Sequence, residues 1–295
     1  MATYTQYDVV GKKEDVSDII SNISPTKTPF QSMIGSEKVS NVLVQWQEDS
    51  LANVAVNAKV EGFTAADGTQ VATVMRSNYT QILSTTIKVS ETNDAVSKYG
   101  RAKESAYQMS KVAAEIKRDL EHALVGITQA AVAGDNVTAR RFASFRSQVA
   151  AGNITNRAAA ANTEADLLTG LQDCYDAGTD PSILMVTPTD SLVVADFAKA
   201  TGRLREIENG TKDRAIINAV DLYVSPFGEV KVVLNRFLQA TASLIFEPDM
   251  WKLCVLRPWT RETLAKTGDA TSMMLVGEYS LKHKNQLASA ILTHN

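Results

Sequence analysis

Catalysis or metal binding in this chain would have to be built from three histidines, two cysteines and scattered carboxylates. His122, His283 and His294 lie far apart, and none has a His, Cys or carboxylate partner at a recognised metal-ligand spacing. They are expected to be surface or interfacial imidazoles. Cys174 and Cys254 sit in apolar neighbourhoods and form neither a C-x-x-C pair nor a disulfide framework. Ser24-Pro25-Thr26-Lys27 matches S-x-x-K, a spacing that activates a serine only when a helix carries both residues. Pro25 and Pro29 instead bracket an extended arm. Glu48-Asp49 and Glu206-x-Glu208 are adjacent carboxylates without catalytic context and suit solvated faces. No G-x-G-x-x-G, G-x-x-x-x-G-K-[ST] or G-x-S-x-G occurs, which removes the common nucleotide-binding and hydrolase signatures. No catalytic residue, metal ligand or cofactor is assigned.

One charged segment offers a different chemistry. Arg140, Arg141, Arg146 and Arg157 fall between Asn136 and Thr163 with no acidic residue among them. Such a segment suits a solvated loop, salt bridges to another subunit, or contact with DNA phosphates; base readout would need much more. Phe142 and Phe145, three apart, fit a helix face better than a base-stacking platform.

The whole chain provides little global field for such contacts. Its 295 residues carry 30 Lys+Arg against 33 Asp+Glu, a formal charge of -3, so any nucleic-acid contact must be local. The length allows two lobes, and 44% hydrophobic side chains can fill their cores. The N-terminus has no basic segment followed by an apolar one, and no run approaches the ~18 apolar residues of a membrane span. No membrane association is expected, and a reducing compartment fits the cysteines.

The elements follow from periodicity. Val16, Ile19, Ile20 and Ile23 give a short helix before the proline-bracketed segment. Between 42 and 90 the period is two: Val54, Val56, Ala58 and Val60 alternate with polar neighbours, Asp67-Gly68 is a hairpin-turn dipeptide, and Tyr79, Leu83, Ile87 and Val89 follow. This predicts a long two-stranded ribbon. Its tip, Gly62 to Gln70, holds only Phe63 as a large apolar residue, and an isolated ribbon is marginal in water. It must lie on another surface. Small or apolar residues from 99 to 130, spaced three and four apart, predict one long helix over about 95–131, with Lys103, Glu104, Lys111, Glu115 and Glu121 on its polar face. Thr163-x-x-Asp166 is a capping box opening a helix that ends near Gly178. Gly202 to Arg214 is a charged excursion, and β-like runs follow at 219–224, 229–234, 242–247, 253–257, 273–281 and 286–293.

Several stretches resemble a known family. Gly11-Lys12-Lys13-Glu14-Asp15-Val16-Ser17-Asp18-Ile19-Ile20, Asn22-Ile23-Ser24-Pro25-Thr26-x-Thr28-Pro29-Phe30, Trp46-Gln47-x-Asp49-Ser50-Leu51-Ala52 and Gly277-Glu278-Tyr279-Ser280-Leu281-Lys282 resemble the tailed-phage major head proteins. The resemblance covers nearly the whole chain. It implies an α+β protein of the HK97-like capsid fold: an N-terminal arm (1–41), an extended β-hairpin loop (42–90), a peripheral domain with a long spine helix (91–165), an axial domain (166–255) and a return to the peripheral sheet (256–295). Implied inter-subunit contacts are Pro25, Lys27, Pro29, Phe30, Phe63, Asp67, Gly68, Arg203 and Arg205. The Arg140 to Arg157 segment would face DNA or a neighbouring subunit. The implied function is an icosahedral head shell of hexamers and pentamers enclosing double-stranded DNA without sequence-specific contact. It would assemble in the host cytoplasm and reside in the virion. A separate scaffolding protein and a portal are the implied partners, since no long helical segment precedes the arm. Three alternatives remain open: an encapsulin-like nanocompartment shell, an α+β enzyme without a recognised motif, and a nucleic-acid-binding module acting through the arginine segment.

Overall fold

The computed structural model describes residues 24, 26–65, 68, 70–158, 160–200 and 222–294. Residues 1–23, with Pro25, Asp67, Arg203 and Arg205, lie outside the described residues. After Lys27 the chain forms a short helix α1 (Pro29–Met33), strand β1 (Gly35–Lys38) and strands β2 (Leu43–Glu48) and β3 (Val74–Tyr79). Strand β4 (Gln81–Ser90), helix α2 (Glu91–Ala95) and helix α3 (Glu104–Glu121) follow, the last continued by a π-helical turn, His122–Gly126. Then come α4 (Phe145–Gln148), β5 (Ile154–Asn156), α5 (Glu164–Asp176), β6 (Ile183–Val186) and α6 (Pro188–Ala200). The chain closes with β7 (Leu222–Ser225), β8 (Gly228–Leu234), β9 (Ala242–Phe246), β10 (Trp251–Thr263), β11 (Ala270–His283) and β12 (Ser289–Thr293).

Two sheets organise these elements. The first has the order β1-β10-β11-β4, with β1 parallel to β10 and the other pairs antiparallel. Pro258 cannot donate to a ladder, and the register of β10 against β11 shifts on both sides of Arg257. Helix α3 lies on this sheet: Val112 and Ile116 are buried against Leu275, with Leu83, Ile87 and Trp259 packed around them. That packing explains the alternation in β4, which pairs with β11 from Gln81 to Ser90 and is not the returning arm of the ribbon. The ribbon expected over 42–90 therefore ends at Tyr79.

The second sheet has the order β5-β12-β9-β6-β8-β7. Helix α5 begins with the expected capping box between Thr163 and Asp166, and buries Leu167, Leu171 and Cys174 against Leu184, Val186, Ile245, Ala290 and Leu292. Gly170 permits that approach, since a Cβ there would stand 2.9 Å from Ile245 Cδ1. The last strand corrects an expectation. β12 does not return to the first sheet but lies in the second, between β5 and β9, because all its residues are buried and need cover on both faces.

The long helix also departs from its expected limits, spanning 104–126 and not 95–131. Gly100 takes a positive φ of 73° in the loop after α2. The Asp94 carboxylate then caps the new helix from outside, accepting 3.0 Å hydrogen bonds from Ser105 N and Ser105 Oγ.

Where the sheets meet, Phe30, Phe145, Phe246 and Trp251 form one aromatic cluster, with Phe145 stacked on Trp251 at 4.2 Å. His283 stacks on the other face of that cluster, 3.8 Å from the Trp251 ring. It is 1% exposed, which corrects its expected surface position. The pairing of Ser289 Oγ with His283 Nε2 at 3.1 Å, and of His283 Nδ1 with Gln148 O at 3.4 Å, uses both ring nitrogens. Burial pushes this imidazole down to about 3.

Candidate assembly interface

Residues 49–73 include no regular secondary structure among those described, correcting the strand expected at 54–60. Val54 is 103% exposed, Val56 96% and Leu51 97%, so the described residues give these side chains almost no cover. Val60, Phe63 and Val71 are exposed as well. A turn joins Val60 O to Phe63 N at 3.2 Å with Gly62 at φ 79°, ahead of the expected turn at Asp67-Gly68; Gly68 is exposed. At ~3.3 Å per extended residue, each half of this segment can reach several tens of ångströms from the sheet. Contiguous apolar surface left exposed marks a contact with something else.

Its base is constructed differently. β2 and β3 pair antiparallel from Leu43↔Tyr79 to Glu48↔Val74, and Arg76 Nε meets Glu48 Oε2 at 2.9 Å. Asn78 is 1% exposed, donating through Nδ2 to Leu281 O at 2.6 Å and accepting at Oδ1 from Ala143 N at 2.7 Å and Tyr79 N at 2.9 Å. Thr80 is fully buried and donates through Oγ1 to Glu278 Oε1 at 2.6 Å.

The arginine segment divides. Arg140 Nη2 pairs with buried Glu278, and its Nε donates to Thr80 O at 2.7 Å. Arg157 grips Asp166 with two 2.8 Å hydrogen bonds. Sequence order hid both carboxylates, one far along the chain and one just past the segment. Arg141 and Arg146 have no ion-pair partner among the described residues. Phe142 and Phe145 are core residues, 0% and 1% exposed.

The leading segment divides likewise. Lys27 is exposed and Pro29 half-buried, but Phe30 is 0% exposed inside the aromatic cluster, so its expected inter-subunit contact is replaced by an intramolecular one. Pro29 opens α1 at its first position, where no amide donor is needed, and the chain is helical here where an extended arm was expected. Glu121, expected on the polar face of α3, is 0% exposed. Its Oε1 accepts from Phe30 N at 2.8 Å and Asn235 Nδ2 at 2.7 Å, and its Oε2 from Gln31 N at 3.1 Å. Burial raises its pKa above the ordinary carboxylate value, against the pull of those hydrogen bonds.

Residues 3–295 match the family model described as SU10 major capsid protein. The chain belongs to this family. It is a major capsid protein, a structural subunit of a phage head. A major capsid protein of Escherichia phage Phieco32 is 33% identical over an alignment covering 98% of this chain and 96% of that one. Among solved structures, the capsid of a native GTA particle matches at a TM-score of 0.68 and 11% identity, over 96% of this chain and 95% of that one. The holo-SrpI encapsulin complex from Synechococcus elongatus PCC 7942 matches at 0.64 and 11% identity, over 96% and 92%. The fold of this capsid protein is HK97-like, α+β with mixed sheets.

Proposed function

We propose that this capsid protein builds an icosahedral head shell of hexamers and pentamers around double-stranded DNA, with residues 49–73 laid across a neighbouring copy. The observation that carries this reading is the full exposure of Leu51, Val54 and Val56 on a segment whose base is fixed to the body. In this assignment residues 1–41 are the arm, whose β1 adds an edge strand to the first sheet, 42–80 the extended loop, and α3 with β4, β10 and β11 the peripheral domain. The second sheet with α5 and α6 is the axial domain, which would carry Arg203 and Arg205 to the symmetry axes. Pro25, Lys27, Pro29, Phe63, Asp67 and Gly68 are the remaining contact candidates. A shell of many copies needs no strong single bond, since each subunit multiplies weak contacts once its neighbours are in place. Arg141 and Arg146 are the cations of their segment left to meet DNA or another subunit, without reading sequence. A separate scaffolding protein and a portal complete the assembly in the host cytoplasm.

Deleting Gly62 to Gln70 tests the reading. The expected product is a soluble, folded subunit that forms no particles by negative stain and size-exclusion chromatography. Particles of normal size from the deleted protein would refute it. The match to an encapsulin favours one second reading, a nanocompartment, and purified particles containing protein cargo in place of DNA would select it.

A further inference from the structure

The passage from β3 to β4 is where the extended loop leaves the body, and no backbone ladder bridges it. Among the described residues β3 pairs with β2 alone and β4 with β11, and Thr80 stands between β3 and β4. Side chains take the place of the missing ladder. On β11, Glu278 and Ser280 are two apart and so share one face. Ser280 Oγ donates to Tyr79 O at 2.7 Å, and Glu278 accepts from Thr80 Oγ1 at 2.6 Å. Thr80 N donates to Val42 O at 2.9 Å, tying the outgoing and returning chains together. Thr80 O accepts from Arg140, and Asn78 fastens the last turn of the ribbon to Leu281 and Ala143. Arg257 Nε reaches the second Glu278 oxygen at 3.1 Å. The bonds of Asn78, Tyr79 and Thr80 to Ala143, Leu281, Ser280, Glu278 and Arg140 join the ribbon's root to the body, and the described residues of 49–73 beyond it make no such bond to the body.

We infer that Asn78, Thr80, Glu278 and Arg140 form an aiming clamp: positioning residues that set the direction in which the extended loop leaves the subunit, and hence where it meets its neighbour. The inference rests on the proposed assembly. A buried polar cluster that merely stabilised the fold would change melting temperature alone. An aiming clamp also changes the direction of the ribbon in a subunit that remains folded, and with it the uniformity of the particles.

The test is spin-label distance measurement on the isolated full chain, with Gln47→Cys on β2 and Ser110→Cys on α3, both exposed positions. Cys174 and Cys254 are 0% exposed, and burial pushes their thiols up to about 12, so they do not compete for the label. Thr80→Val keeps side-chain volume but removes the bond to Glu278, and Asn78→Ala removes the bonds to Leu281 and Ala143. Both are expected to broaden the distance distribution, and the same substitutions in the unlabelled protein to yield particles of mixed diameter. Thr80→Ser, which retains the hydroxyl, is expected to restore both. A distribution as narrow as that of the parent in folded Thr80→Val, or uniform particles despite a broad one, overturns the clamp. If Asn78→Ala fails to fold, Thr80→Val decides alone. Failure of the parent protein itself to form particles would instead overturn the proposed assembly, and the distance measurement would still judge the clamp.

Discussion

Val54 and Val56 on the extended segment are wholly exposed, whereas Val44 on β2 and Val89 on β4 are 8% and 6% exposed. The same side chain thus serves two separate ends within one short stretch of sequence. The sheets and their junction bury apolar surface within the chain and determine whether the subunit folds. The segment between β2 and β3 keeps its apolar surface outside the fold of the described residues, and in the proposed assembly it is this surface that a neighbouring copy buries. Stability and assembly should therefore respond to different residues, and substitutions can separate them.

The sharpest contrast is expected at Trp251. It is 0% exposed, stacks between Phe145 and His283, and donates to Ser289 Oγ at 3.0 Å. Trp251→Ala should destabilise the subunit by about 3–5 kcal/mol, read as a lowered denaturant midpoint. Glu121→Ala comes next. It leaves Phe30 N and Gln31 N without their acceptor and Asn235 Nδ2 with only the Met185 sulfur, and at about 1–3 kcal/mol for an unpaired buried group a loss near 3 kcal/mol is expected. Because Phe30 and Gln31 lie in the first turn of α1, proteolysis near Lys27 should accelerate in the same variant.

Acid should act on the junction before it acts on the exposed segment. The folded state holds the His283 imidazole near 3 against 6.5 for the free side chain. Below pH 6.5 the unfolded chain binds a proton that the folded one refuses, so stability falls as the pH drops from about 6.5 towards 3. The slope approaches about 1.4 kcal/mol per pH unit. Glu121 has the opposite sign: its raised pKa means that the folded chain holds a proton more tightly, and stability falls as pH rises above the ordinary carboxylate value. The histidine should dominate between pH 3 and 6.5, and His283→Phe, which keeps a ring against Trp251, should flatten the stability profile there. An unchanged acid slope in that variant would remove His283 as its cause.

These determinants differ in how visible they are in sequence. The capping box at Thr163 and Asp166 acts within four residues, and the turn at Ser225-Pro226-Phe227-Gly228 joins two adjacent strands, so local pattern reveals both. The start of α3 is set by Asp94, on the far side of a loop, and periodicity alone extended the helix too far. Glu121 looks like any other charge of that helix, because only the arrival of α1 and Asn235 buries it. The partner of Arg140 lies near the other end of the chain, so its segment appeared more basic than the folded surface is. The exposed valines were found through their alternation, but alternation predicts a strand only where a partner chain supplies the ladder. Among the described residues that partner is missing beyond Glu48 and Val74.

The smallest effect on stability, and the most direct probe of the contrast, is expected from Val54→Ser with Val56→Ser. Both side chains are exposed among the described residues, so stability should not change beyond the ±0.5 kcal/mol typical of surface substitutions. The equivalent change at Val89, Val89→Ser, removes a buried methyl pair and introduces a hydroxyl, and should cost about 2 kcal/mol. In assembly the order should reverse. Burying a valine on a neighbour yields about 1.5 kcal/mol or more per subunit, and repetition over every subunit converts that into a marked rise in the protein concentration at which particles form. Light scattering across a concentration series measures this threshold directly. If the threshold stays put in the Val54, Val56 double variant while the melting temperature falls, the segment is packing against its own subunit, and the division between folding surface and assembly surface does not exist.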